Sequence, residues 1–247
     1  MDIDEPFSRA PVTEAIFEIQ VELPVEVAAM DLEQLCNEIR SEYPKKRPRK
    51  RFEGRIEFKE DQTPTSQSMD LGVDGFLNWS SDEKQVVQFR LDGFSFSRLK
   101  PYSSWENYFP EVIKYWMLYS KVTSPIRVKR IAIRFINVIE IPSKGFDLQD
   151  YFINFPKLPL IGSSLNNFFN RIEFFIPEHG VNAVVTQTLA TSPNPISKPV
   201  ILDIEVSKEI NSKVNEKIIS DIFQILRQLK NDIFRKSLQQ KTAELFK

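Results

Sequence analysis

From Val128 to Ile141 the chain reads VKRIAIRFINVIEI, and a period of two runs through it: Ile131, Ile133 and Phe135 fall on one side, Arg130, Ala132 and Arg134 on the other. Such alternation describes a strand with one face in a core and one in water. Asn137 continues the register of Ile133 and Phe135, so an amide is placed among apolar side chains and must be hydrogen-bonded there.

Other segments carry the same signal. Glu14 to Leu23 reads EAIFEIQVEL and ends at Pro24. Residues 52–60 predict a short strand, followed by a turn-rich loop over 61–70. FLNW from Phe76 and then VVQFRLDGFSFSRL predict strand again, with Gly93 as a bulge or bend inside the second. Residues 171–176, 183–189 and 200–206 give three more, the first two joined by PEHG as an antiparallel hairpin.

Helical spacing shows in three places. Leu32, Leu35, Cys36 and Ile39 follow Asp31 as N-cap. Trp105, Phe109, Val112, Ile113, Trp116 and Met117 follow Ser103 and Ser104, and Pro110 places the regular helix from about Phe109 behind a looser turn. From Val214 to about Lys236, Ile218, Ile222, Ile225, Leu226, Leu229 and Ile233 form an apolar stripe fit to lie across a sheet. Residues 147–170 have no stable period and read as an irregular packed crossing with one turn of helix.

These elements predict a single α+β domain over residues 1–247, built on an antiparallel β-sheet with helices packed on one face and a long C-terminal helix. Strand-then-helix recurs at 14–40 and 86–119, so two ferredoxin-like β-α-β halves fit the element order as well.

Composition removes several function classes. One cysteine, Cys36, allows neither an intrachain disulfide nor a thiolate metal cage and suggests a reducing compartment. The acidic, proline-bearing start lacks the basic and apolar run of a secretory signal, and no stretch approaches the ~20 apolar residues of a membrane span. The expectation is a cytoplasmic protein without membrane contact. No GxGxxG, Walker loop, HExxH or paired CxxC occurs, so no cofactor and no metal is implied. The only histidine, His179, sits in PEHG at a hairpin tip with no evident orienting partner, and Cys36 lies on the apolar side of its helix; no catalytic residue is assigned.

Two charge features remain. PKKRPRKR over residues 44–51 holds Lys45, Lys46, Arg47, Arg49, Lys50 and Arg51 with two prolines, which predicts an exposed connection rather than a regular buried element. With Tyr43 and Phe52 beside it for stacking, the run has the character of a nucleic-acid contact, although the formal net charge of the chain is -1. Arg130 and Arg134 share a strand face, with Arg90 and Arg98 in a neighbouring strand, so an arginine-lined surface for an anion is one outcome. Cross-strand pairing with Asp203 and Glu205, which also share one face, is the other.

Along nearly its full length, through PVTEAIFEIQ, YSSWENYFPEVIKYW, VKRIAIRFINVIEIP and FRKSLQQKTAELF, the chain resembles a sporadically distributed, uncharacterised bacterial and archaeal family of similar length. The resemblance implies one shared architecture and no active site to carry over; patchy distribution implies mobile cargo of the defence or toxin–antitoxin kind. The leading expectation is a non-catalytic binding or regulatory protein acting through protein contacts, with a protein partner or a second copy. Nucleic-acid binding through residues 45–51 is the runner-up, and an enzyme using Arg130 and Arg134 on a phosphorylated substrate the third.

Overall fold

In the first strand, β1 (Val12–Glu22), Ala15, Phe17, Ile19 and Val21 are buried while Ile16, Glu18, Gln20 and Glu22 between them stay partly open. A strand of that pattern needs a neighbour on each flank and a cover on one face only. The computed structural model supplies both, and describes residues 10–57, 63, 65–144, 147–153, 165–191 and 196–246. After β1 come α1 (Ala29–Glu38), β2 (Lys45–Glu57), β3 (Thr65–Trp79), β4 (Gln85–Arg90), β5 (Gly93–Leu99) and α2 (Trp105–Thr123). The second half holds β6 (Arg127–Pro142), a 3-10 turn (Leu148–Asp150), β7 (Phe169–Ile176), β8 (Val181–Leu189), β9 (Ser197–Ser212), α3 (Glu216–Ser237), α4 (Gln240–Ala243) and a last 3-10 turn (Glu244–Phe246).

The strands form one nine-stranded sheet in the order β2-β3-β4-β5-β1-β6-β9-β8-β7, antiparallel at every pairing. The fold is α+β. All three long helices pack on the face that carries Phe17. Its ring lies 5.1 Å from Trp105 of α2, 5.9 Å from Phe223 of α3, 6.2 Å from Phe96 of β5 and 6.3 Å from Phe135 of β6. α1 adds Leu32, Leu35 and Cys36 to the same core.

From the central β1–β6 pairing outwards the sheet reads β1, β5, β4, β3 on one side and β6, β9, β8, β7 on the other, and a helix follows both β5 and β9. Each half thus runs strand, helical segment, three-strand meander, helix. Neither half has the ferredoxin-like order, and the internal repeat joins β1–α2 with β6–α3 rather than residues 14–40 with 86–119. Among the described residues, β2 is the strand without a counterpart.

Local differences from expectation have identifiable causes. PKKRPRKR is not a connection: its cations belong to β2, and Pro48 is tolerated opposite Phe76 because, among the described residues, β2 has a neighbouring strand on one side only. β3 already begins at Thr65, inside the expected loop. VVQFRLDGFSFSRL is a hairpin of two strands turning at Leu91 and Asp92. Gly93 (φ +153) lies so close to β1 that a Cβ there would meet the Ile19 carbonyl oxygen at 2.3 Å. α2 starts at Trp105 and runs through Pro110; stacking of Trp105 on Phe109 (4.7 Å) and burial of Trp105 against Phe17 hold its first turn. Asp31 is not the N-cap of α1 but sits a turn later, accepting the Ala28 backbone N–H at 2.9 Å. On α3 the buried stripe is Ile219, Ile222, Phe223 and Leu226, whereas Ile218 is 42 % exposed.

Phe17→Ala removes the ring on which both halves and two helices close. The expected loss is about 3–5 kcal/mol, read as a lower urea midpoint with an unchanged slope.

Candidate functional site

β7, FNRIEFFI, ends the sheet: it pairs with β8 on one side, and no strand among the described residues lies on the other. Its run of Phe174, Phe175 and Ile176 breaks alternation, so apolar side chains occupy both faces. Phe169 and Phe175 are 71 % and 58 % exposed on the face shared with Arg171 and Glu173. Ile172 and Phe174 (41 % and 39 %) lie on the helix-covered face. There the α3 side chains Leu229 and Ile233, with Ile172, Phe174 and Val185, wall a largely apolar groove of about 630 Å³. An apolar edge strand with free backbone donors and acceptors is a template for another strand.

The opposite edge is built differently. On β2, Lys45 pairs with Glu83 at 2.5 Å, Lys46 with Glu33 at 2.5 Å and Lys50 with Asp70 at 3.3 Å. Arg49 reaches Asp92 at 3.4 Å and Asp74 at 3.6 Å, and the Arg47 guanidinium lies 5.3 Å from the Trp79 ring centre. The Arg51 side chain has no carboxylate partner among the described residues. Carboxylates thus offset most of the basic run, which leaves a weak positive field for a phosphate backbone. Lysines and arginines with a proline are an ordinary guard against unwanted edge pairing.

The sheet face opposite the helices holds Arg90, Arg130 and Arg134 in a lattice of cross-strand ion pairs. Glu18 on β1 accepts from Arg90 at 2.8 Å and from Arg130 at 3.0 Å, and Arg130 also bonds Glu205. Arg134 engages Asp203 through two nitrogens, at 2.9 and 2.5 Å, which holds its guanidinium above its ordinary pKa. Arg130 and Arg134 are four residues apart along β6, about 13 Å, and each is turned to its own carboxylates, Arg130 to Glu18 and Glu205 and Arg134 to Asp203. Arg98 is on the other face, stacked 4.8 Å from the Tyr108 ring centre.

The remaining candidates are structural in geometry. His179 lies in the β7–β8 turn and lines the apolar groove, its backbone carbonyl accepting from the Lys208 ammonium at 2.5 Å. Cys36 is 3 % exposed and donates to the Leu32 carbonyl at 3.2 Å, and burial pushes its thiol up, away from thiolate reactivity. Asn137 is buried and donates to the Phe135 and Leu202 carbonyls. Among the described residues no group of three or more His, Cys, Asp and Glu could hold a metal, and no helix is long and apolar enough to cross a membrane.

The sequence signal for the β7 edge was present but unread: residues 171–176 are a strand in the pattern, yet apolar residues at both parities mark a strand with no single buried face. Neither the comparison with protein-family models nor that with curated proteins finds a match.

Glu18→Gln leaves Arg90 and Arg130 sharing a neutral acceptor in a partly buried setting. It is expected to cost roughly 1–3 kcal/mol in chemical denaturation.

Proposed function

We propose that this is a binding protein that works through protein contacts, and that its working surface is the β7 edge, to which a second copy of the chain adds edge to edge. The carrying observation is the apolar exposure on both faces of β7, set against the charged guard on β2 at the other end of the same sheet.

The order of residues along β7 favours self-pairing. In an antiparallel pair about a two-fold axis, residues opposite each other are placed symmetrically about the residue on the axis. With Ile172 on the axis, Arg171 of one copy faces Glu173 of the other, twice, and Phe169 faces Phe175, twice. Within one chain Arg171 and Glu173 already bond at 3.0 Å, so the ionic pair has only to be exchanged across the axis. The two groove walls become neighbours through Ile172 and Phe174, extending apolar burial on the helix-covered face. Cross-strand ionic and aromatic pairs each contribute about 0.2–1 kcal/mol, so burial and the backbone ladder supply most of the association.

Analytical ultracentrifugation of the purified chain tests this. The expected result is a dimer at micromolar concentration that Phe169→Lys with Phe175→Lys converts to a monomer without loss of fold. Arg171→Glu alone should weaken it, and Arg171→Glu with Glu173→Arg should restore it, because the swapped pair is again complementary about the axis. A wild-type monomer at all concentrations, or a swap that fails to rescue, sinks self-pairing and leaves the edge to a different protein strand.

A further inference from the structure

Away from the β7 groove, the start of α2 and the middle of α3 enclose a second cavity, of about 380 Å³, against Phe135 and Asn137 of β6 and residues 10–12 at the start of β1. Arg227, Lys230 and Arg235 line it from one side of α3. Their charges are unequally satisfied. Arg227 bonds Glu106 at 2.7 Å and lies 5.1 Å from the Trp105 ring centre. The Lys230 ammonium sits 3.8 Å from the centre of the Phe135 ring, and neither it nor Arg235 has a carboxylate partner among the described residues. Two cations are therefore held in a half-enclosed, aromatic-walled space with no counter-charge among the described residues, an arrangement that is costly unless an anion completes it.

The opposing wall supplies donors. Tyr102, Ser103 and Ser104 lead into α2, a helix of 19 residues whose N-cap, Ser104, makes no side-chain capping bond. The first turn of a helix collects unpaired backbone N–H groups and positive potential. Independently, the wall residue Trp105 is 4 % exposed, and its indole Nε1–H is buried without an acceptor. Glu106, the carboxylate of this wall, is already held by its own backbone N–H and by Arg227, which together lower its pKa from the ordinary value.

We propose that this cavity binds a small phosphorylated molecule, its phosphate held by Lys230 and Arg235 with the indole Nε1–H of Trp105 and the N-terminal turn of α2, and its organic part lying against Tyr102 and Phe135. Two cations with no carboxylate partner among the described residues match a dianion, and several donors lining one cavity suit the three terminal oxygens of a phosphate ester better than the two of a carboxylate. A bare phosphate would leave most of the volume unfilled. Burial, together with Arg227 and Arg235, pushes Lys230 down to about 7. Facing it are Arg227 and Arg235 from α3 and Glu106 and Tyr102 from the α2 side, while β6 and the start of β1 contribute neutral residues. An entering dianion would favour the charged form of Lys230, so proton uptake and binding support each other.

The three indoles of the chain, Trp79, Trp105 and Trp116, give three Nε1–H resonances, and the one lost in Trp105→Phe reports on the cavity. Titration with millimolar inorganic phosphate, against sodium chloride of equal ionic strength, should shift that resonance saturably and leave the other two nearly unmoved. A sugar phosphate should bind more tightly than inorganic phosphate; equal or weaker binding removes the organic subsite. Sulfate, whose charge is constant over this range, should bind up to about tenfold more tightly at about pH 6 than at about pH 8 as Lys230 takes up its proton. Lys230→Gln with Arg235→Gln should abolish the shift, and Arg235→Gln alone should weaken it several-fold should the double variant not fold. Serine at Lys45, Lys46 and Arg47 should leave it unchanged. No saturable shift with any of these anions, or one that survives removal of both cations, overturns the site.

Discussion

Pairing of β1 with β6 is the constraint on which the rest of the structure depends. The two strands lie at the centre of the sheet, each starting one half of the repeat, and they meet with Phe17 opposite Ile133 on the helix-covered face. Because Glu18 and Gln20 alternate with Phe17 and Ile19, β1 can be covered on one face only, and every long helix is forced to the same side. A shift of one residue in this pairing would bring Glu18 under Trp105 and Phe223 and expose Phe17. Register at the centre therefore decides both where α2 and α3 can sit and which face stays wet.

A wet face on so wide a sheet still has to be organised. Ala132, Ser95, Ser97 and Ser207 are small residues on that face and are nonetheless nearly inaccessible, with the longer Glu18 opposite both Ser95 and Ala132. Arg130 and Arg134 of β6 bond carboxylates on the neighbouring β9, and Arg90 of β4 reaches across β5 to Glu18 of β1. In partly shielded positions such pairs help fix register, while their net contribution to stability is modest. The arginines that resembled an anion surface in sequence are thus accounted for by the sheet itself.

How much of this was legible follows from where the determining information lies. β1, β6, the β7–β8 hairpin and α3 could be read from the chain because alternation and helical spacing are local, and the buried amide of Asn137 followed from register alone. Three things were not legible. The strand character of Lys45–Arg51 is imposed by β3 alongside it, against a composition that argues for a loop. The Leu91–Asp92 turn was hidden because Gly93 serves both a hairpin and a close approach to β1. The cavity cations Arg227, Lys230 and Arg235 lie outside the apolar stripe that marks this helix in sequence, and only the packing of α3 over Phe135 shows that they line a cavity.

The β7 end of the sheet and the cation-lined cavity meet in one element. Among the described residues α3 alone lines both the groove beside β7, through Leu229 and Ile233, and the cation-lined cavity, through Arg227, Lys230 and Arg235. These sets interleave along the same three turns, so a displacement of α3 that improves contact with an anion also moves the groove wall. Coupling between sites is reciprocal in free energy. If phosphate strengthens self-association at β7, association must strengthen phosphate binding by the same factor whichever element carries the coupling; a substitution on α3 that leaves each binding event intact and removes that shared factor would identify α3 as the physical link.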